Sequence, residues 1–172
     1  MKLHTLLVAG FATLALSGAA FAAGEVSVNV QQQSTGGVGS RNTANVNTAG
    51  RGTQDVSVFQ DGARTQSATV NARSGRGDAI GTIVQTNGRN NSATMNLTAR
   101  RGTADGILVQ DASRNNAARV NLTGGRGVVF DGVQNAGNRN TLTGNVRAFG
   151  NSPVLFNAAQ TGRINASNIR VR

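Results

Sequence analysis

From Asn42 onward, hydrophobic and polar residues alternate in short bursts that return at a nearly fixed interval. Aligned on an Asn or Gln, the bursts read NTANVNTA from Asn42, QSATVNAR from Gln66, NSATMNLT from Asn91, NAARVNLT from Asn116, NTLTGNVR from Asn140 and NASNIRVR from Asn165. Even offsets carry the apolar side chains, such as Ala68, Val70 and Ala72, or Ala93, Met95 and Leu97, whereas odd offsets carry chiefly Asn, Thr, Ser or Arg. A period of two held over six or more residues predicts a strand with one face in a core and the other in water.

A second strand precedes each anchor: VSVFQ from Val56, GTIVQ from Gly81, GILVQ from Gly106, FDGVQ from Phe130 and FNAAQ from Phe156. Apolar residues here fall on both faces, so this strand is packed from both sides or its outer face meets a neighbouring subunit. Between the two strands lie DGART, TNGRN, DASRN, NAGNR and TGRI, rich in residues that accept tight turns. Arg51-Gly52, Arg76-Gly77, Arg101-Gly102 and Arg126-Gly127 mark the other turn.

Each unit is therefore strand, turn, strand, turn, and the units recur every 24 to 26 residues. So short a period predicts stacked supersecondary units and an all-β fold, a β-solenoid of five to six rungs with amyloid-like cross-β pairing between subunits. Stacking in parallel sets like residues about 4.8 Å apart. Gln60, Gln85, Gln110, Gln134 and Gln160 then form one amide ladder, and Gln66, Asn91, Asn116, Asn140 and Asn165 a second. An amide both donates and accepts, so such a row fixes register within a molecule and offers self-assembly between molecules.

Composition adds a division of the chain. Residues 1–22 read as a cleaved export signal, with an early Lys2, an apolar run from Leu6 to Leu16 and small residues at Ala20 and Ala22. That run is short for a membrane span. Residues 23–40, Gly- and Gln-rich, are expected to be a flexible leader or secretion address, and residues 41–172 form the repeat region. There is no Cys, Trp or Tyr, and with 23 Gly the chain has little material for a thick globular core. Without Lys2 the chain has sixteen Arg against seven acids, a balance of +9 that favours anionic partners or a solvated basic surface.

Tandem units of glutamine, Gly-containing turn, asparagine and alternating small apolar residues, after a signal and a Gly/Gln-rich leader, resemble the curlin family, the subunits of bacterial curli fibres. Gln160, Gly162 and Asn165 match the centre of the family's unit best. Gln60 with Gly62 and Ala68, Gln85 with Gly88 and Asn90, and Gln110 with Asn115 match loosely. No Ser opens the units and the closing Gln is replaced by Ala72, Leu97, Leu122 and Val146, one residue after Asn71, Asn96, Asn121 and Asn145. The resemblance covers roughly residues 42–172.

It implies a secreted structural subunit at the surface of a Gram-negative bacterium, adding to copies of itself in an extracellular amyloid fibre for adhesion and biofilm matrix. It also implies an outer-membrane secretion pore, periplasmic accessory proteins and a partner subunit. The chain itself would be either bulk subunit or nucleator. Its Arg-rich units and the Ile169-Arg170-Val171-Arg172 end look more like a nucleator, and Arg64, Arg89, Arg114 and Arg163 would stack like charges. A monomeric surface solenoid, an adhesin binding anionic polysaccharide, is the alternative.

The remaining motifs have structural readings. Arg76-Gly77-Asp78 falls on the recurring Arg-Gly turn, and the sequons at Asn90, Asn96, Asn121 and Asn165 sit where a strand already uses Asn and Ser or Thr. The acids are too sparse for a calcium roll, and Arg119 and Asn168 interrupt the outward row of Thr69, Thr94 and Thr143. With so few aromatics, contact with extracellular DNA would be weak and salt-sensitive. No catalytic or metal-binding group can be assembled, and no cofactor is expected: His4 is the only His and lies in the signal, and Lys2 is the only Lys.

Overall fold

The computed structural model describes residues 6–9, 12–18, 24–33, 40–149 and 152–172. These form strands and turns only: β1 (Leu6–Ala9), β2 (Ala12–Gly18), β3 (Val26–Gln33), β4 (Arg41–Gly50), β5 (Gln54–Asp61), β6 (Thr65–Ser74), β7 (Ala79–Ala99), β8 (Thr103–Gly124), β9 (Gly127–Ala136), β10 (Arg139–Ala148), β11 (Val154–Thr161) and β12 (Ile164–Val171). The fold is a parallel β-solenoid. One wall stacks β1, β3, β5, the first half of β7, the first half of β8, β9 and β11; the other stacks β2, β4, β6, the second halves of β7 and β8, β10 and β12.

Long β7 and β8 pass from one wall to the other without a break in strand, bending through a register shift around Gly88. Asn87 there has a φ of 56°, and the corresponding turn of the preceding rung uses Gly62 at 74°. These are the left-handed conformations that Asn and Gly tolerate best.

Inside, the even-offset residues meet the inner side chains of the first wall. Val30, Val46, Val56, Val70, Ile83, Met95, Leu108 and Phe130 are buried, as are Leu97, Leu122 and Leu142. Bulk on one wall is matched by its absence on the other. A Cβ on Gly81 would lie 2.9 Å from Leu97, and one on Gly106 would lie 2.8 Å from the Met95 sulfur. Further along the stack the large residues change walls: Phe130 stacks on Phe156 with ring centroids 4.6 Å apart, and Gly144 leaves room for Phe156. An interior this narrow is filled by such complementary pairs.

One expectation changes. Val26–Gln33, expected to be part of a flexible leader, is strand β3: its Val26, Val28 and Val30 alternate inward and it pairs in register with β5. Residues 34–39 of that leader lie outside the described residues. Within the expected export signal, β1 and β2 pair with β3 and β4; the rest of that segment lies outside the described residues.

The outer face of the first wall is also settled for a single chain. Phe59, Ile107, Val133 and Leu155 point outward and are 42%, 43%, 49% and 61% exposed, so among the described residues no second layer covers them.

Candidate self-assembly site

The pairing brings Gln32, Gln60, Gln85, Gln110, Gln134 and Gln160 into one column at the turn between the walls. All but the last are fully buried. Each Nε2 donates to the Oε1 of the preceding rung: Gln60 to Gln32 at 2.6 Å, Gln85 to Gln60 at 2.7 Å, Gln110 to Gln85 at 2.8 Å, Gln134 to Gln110 at 2.7 Å and Gln160 to Gln134 at 2.6 Å. The second hydrogen goes across the rung to the return strand, from Gln60 to the Ser67 carbonyl at 3.0 Å and from Gln85 to the Ser92 carbonyl at 3.0 Å, with Gln110, Gln134 and Gln160 repeating the pattern. One side chain thus ties two rungs and two walls.

The second column behaves differently from a simple ladder. Gln66, Asn91, Asn116, Asn140 and Asn165 are in register, but their amides mostly seek backbone. Gln66 donates to the Thr86 carbonyl at 2.6 Å, and Asn91 donates to the Gln85 and Asp111 carbonyls at 3.2 and 2.8 Å. Side-chain links occur from Asn116 to Asn140 at 3.1 Å and from Asn140 to Asn165 at 2.9 Å, running toward the C-terminus, opposite to the glutamine column. Among the described residues, the buried side-chain oxygens of Asn42, Gln66, Asn91 and Asn116 have no hydrogen-bond partner. This column ties the return strand to carbonyls at the turn between the walls, rung after rung.

A third ladder, on the outer face of the second wall, is absent from the expectations. Asn71 donates to Asn47 at 2.5 Å, Asn96 to Asn71 and Asn121 to Asn96 at 2.6 Å, and Asn145 to Asn121 at 2.8 Å. The repeat of Asn one residue before each final apolar position was its only signal in the sequence.

The last rung differs from those beneath it. Phe156, Ile169 and Val171 occupy inward register positions, yet Ile169 and Val171 are 38% and 54% exposed and Asn165 is exposed. Arg172 and Ile164 donate back to the Val146 and Asn138 carbonyls at 2.9 Å. Alternation along the strand therefore leaves the N–H groups of Ser167, Ile169 and Val171 at the open edge.

The Arg-Gly turns stack backbone on backbone. A Cβ on Gly77 would fall 2.4 Å from the Thr53 nitrogen and one on Gly102 would fall 2.2 Å from the Gly77 carbonyl oxygen. Asp78 accepts the Thr103 N–H at 2.8 Å, so the carboxylate of the Arg76-Gly77-Asp78 triplet caps the next rung. On the first wall, burial raises the carboxyls of Asp55 and Asp105 above their ordinary pKa of 3.8, with neighbouring charge adding to it: Glu25 beside Asp55, and Asp131 and Asp78 beside Asp105. Comparison with family models, curated proteins and solved structures finds no match for this chain.

Proposed function

We propose that this protein is an exported structural subunit of a curli-like extracellular fibre, contributing to adhesion and biofilm matrix, and that it assembles by pairing the terminal rung of one solenoid with the first mature rung of the next. The observation that carries this reading is the open last rung. Its inward side chains are incompletely covered and its edge N–H groups face outward, while its register continues that of every rung below. Unpaired strand edges of this kind are templates for another strand.

The resemblance of the repeats to curlins supports the same reading and implies as partners copies of the chain, a bulk or nucleator counterpart, a secretion pore and periplasmic accessory proteins. Mature protein lacking residues 1–22 is expected to form fibres that bind thioflavin T and grow faster when seeded. Flat fluorescence and a monomeric sedimentation profile over several days would overturn the proposal and leave a monomeric surface solenoid in its place.

A further inference from the structure

We infer that the edge of the solenoid formed by the Arg-Gly turns is a binding track for a linear carboxylated polysaccharide lying along the stacking axis. Arg51, Arg76, Arg101 and Arg126 project from this edge one rung after another, and Arg73 and Arg100 flank them; all six are exposed. Their backbone is held tightly. Arg76 donates to the Arg51 carbonyl at 2.8 Å, Arg100 to the Ser74 carbonyl at 3.1 Å and Arg126 to the Gly102 carbonyl at 2.9 Å. The close approaches at Gly77 and Gly102 leave no room for a side chain at these turns. Beside the row, Arg51, Arg73 and Arg100 border an open concavity of about 720 Å³, together with Ala49, Gly50, Ser74 and Gly75.

Guanidinium groups spaced by a rung, about 4.8 Å, repel one another as like charges paired across strands do. The acids nearest this edge are Glu25, Asp55, Asp78 and Asp105. The Asp78 carboxylate accepts the Thr103 N–H and burial favours the neutral form of Asp55 and Asp105, so the six exposed guanidinium groups remain in excess. A polyanion laid along the row relieves that repulsion and releases its own counterions. The planar fork of Arg matches a carboxylate with two parallel hydrogen bonds. Single-stranded nucleic acid would instead need aromatic platforms. Near this edge stands Phe149, and Arg147 already lies over its ring at 5.1 Å. The track exists within one solenoid, so the inference does not rest on fibre formation.

The probe is fluorescent polygalacturonate oligomer, titrated into the full mature chain at low and at physiological salt, with oligo(dT) and neutral dextran in parallel. The combined variant Arg51→Gln, Arg76→Gln, Arg101→Gln, Arg126→Gln is expected to weaken polygalacturonate binding at least tenfold and to flatten its salt dependence. A charge-matched variant of the opposite edge, Arg64→Gln, Arg89→Gln, Arg114→Gln, Arg163→Gln, is expected to change it less than threefold. Should the first variant lose its strand signal in circular dichroism, the double variant Arg76→Gln, Arg101→Gln is read in its place, with at least a threefold loss expected. Equal losses at both edges would reduce the effect to net charge and overturn the track. Tighter binding of oligo(dT) would assign the edge to nucleic acid and overturn the polysaccharide.

Discussion

At the scale of single residues, the contact of one turn's backbone with the next is a close constraint. Gly102 has no space for a methyl group, since its Cβ would lie 2.2 Å from a backbone oxygen, whereas a Cβ on Gly75 would meet nothing closer than 3.6 Å. Gly102→Ala is therefore expected to lower stability by about 2 kcal/mol through overpacking against atoms that cannot rotate away. Gly75→Ala is expected to lie within about 0.5 kcal/mol of the parent; urea unfolding of the soluble chain compares them. The raised carboxyls of Asp55 and Asp105 give a second expectation. An acid that holds its proton more tightly when folded favours the fold as it protonates, so stability rises as pH falls through the folded pKa and levels off below 3.8. Asp55→Asn with Asp105→Asn should remove that slope from melting temperatures measured between pH 3 and pH 7, a window taken around the ordinary carboxylate range. A slope unchanged by the two substitutions would place the titration elsewhere.

At the scale of strands and rungs, the open edge makes a directional expectation. Proline is tolerated on an edge strand when the N–H it removes was unpaired. Ser167→Pro deletes an N–H that faces away from β10, so it is expected to leave the soluble solenoid folded while slowing seeded fibre growth at least tenfold. Leu142→Pro, which interrupts the interior strand β10, should unfold the rung as well. Growth of Ser167→Pro at the parental rate would show that this edge is not the growing one. Much of this level was legible beforehand, because parity alone separates Val70 from Thr69 and the glutamine spacing sets the register of every rung. The Gln66 to Asn165 column was legible in position but not in bonding. A side chain's choice between a neighbouring amide and a turn carbonyl depends on how the chain bends at Gly88, and periodicity does not encode that bend. β3 was hidden for another reason: VSVNVQQQ alternates as a strand should, but its Gly-rich flank at residues 34–39 and the wider gap from Gln32 to Asn42 break the period that announced the other rungs.

At the scale of the whole molecule, charge is distributed unevenly between the walls. No acid occurs in β4, β6, β10 or β12 or in the second half of β7 or β8, while Asp55, Asp105 and Asp131 lie on the first wall beside exposed Phe59, Ile107 and Val133. Composition showed the excess of Arg but not this sorting, which depends on knowing which strand belongs to which wall. The glutamine column has a further property at this scale. Backbone hydrogen bonds in the solenoid point alternately up and down the stack and their dipoles largely cancel. The five glutamine bonds all point the same way, from Gln160 back toward Gln32. Amide dipoles aligned head to tail add, as they do along a helix, so the molecule carries an electrical axis parallel to its length. A stack of such molecules would be a polar wire with unlike poles, able to orient in an applied field, and transient electric birefringence of suspended fibres would read out that orientation.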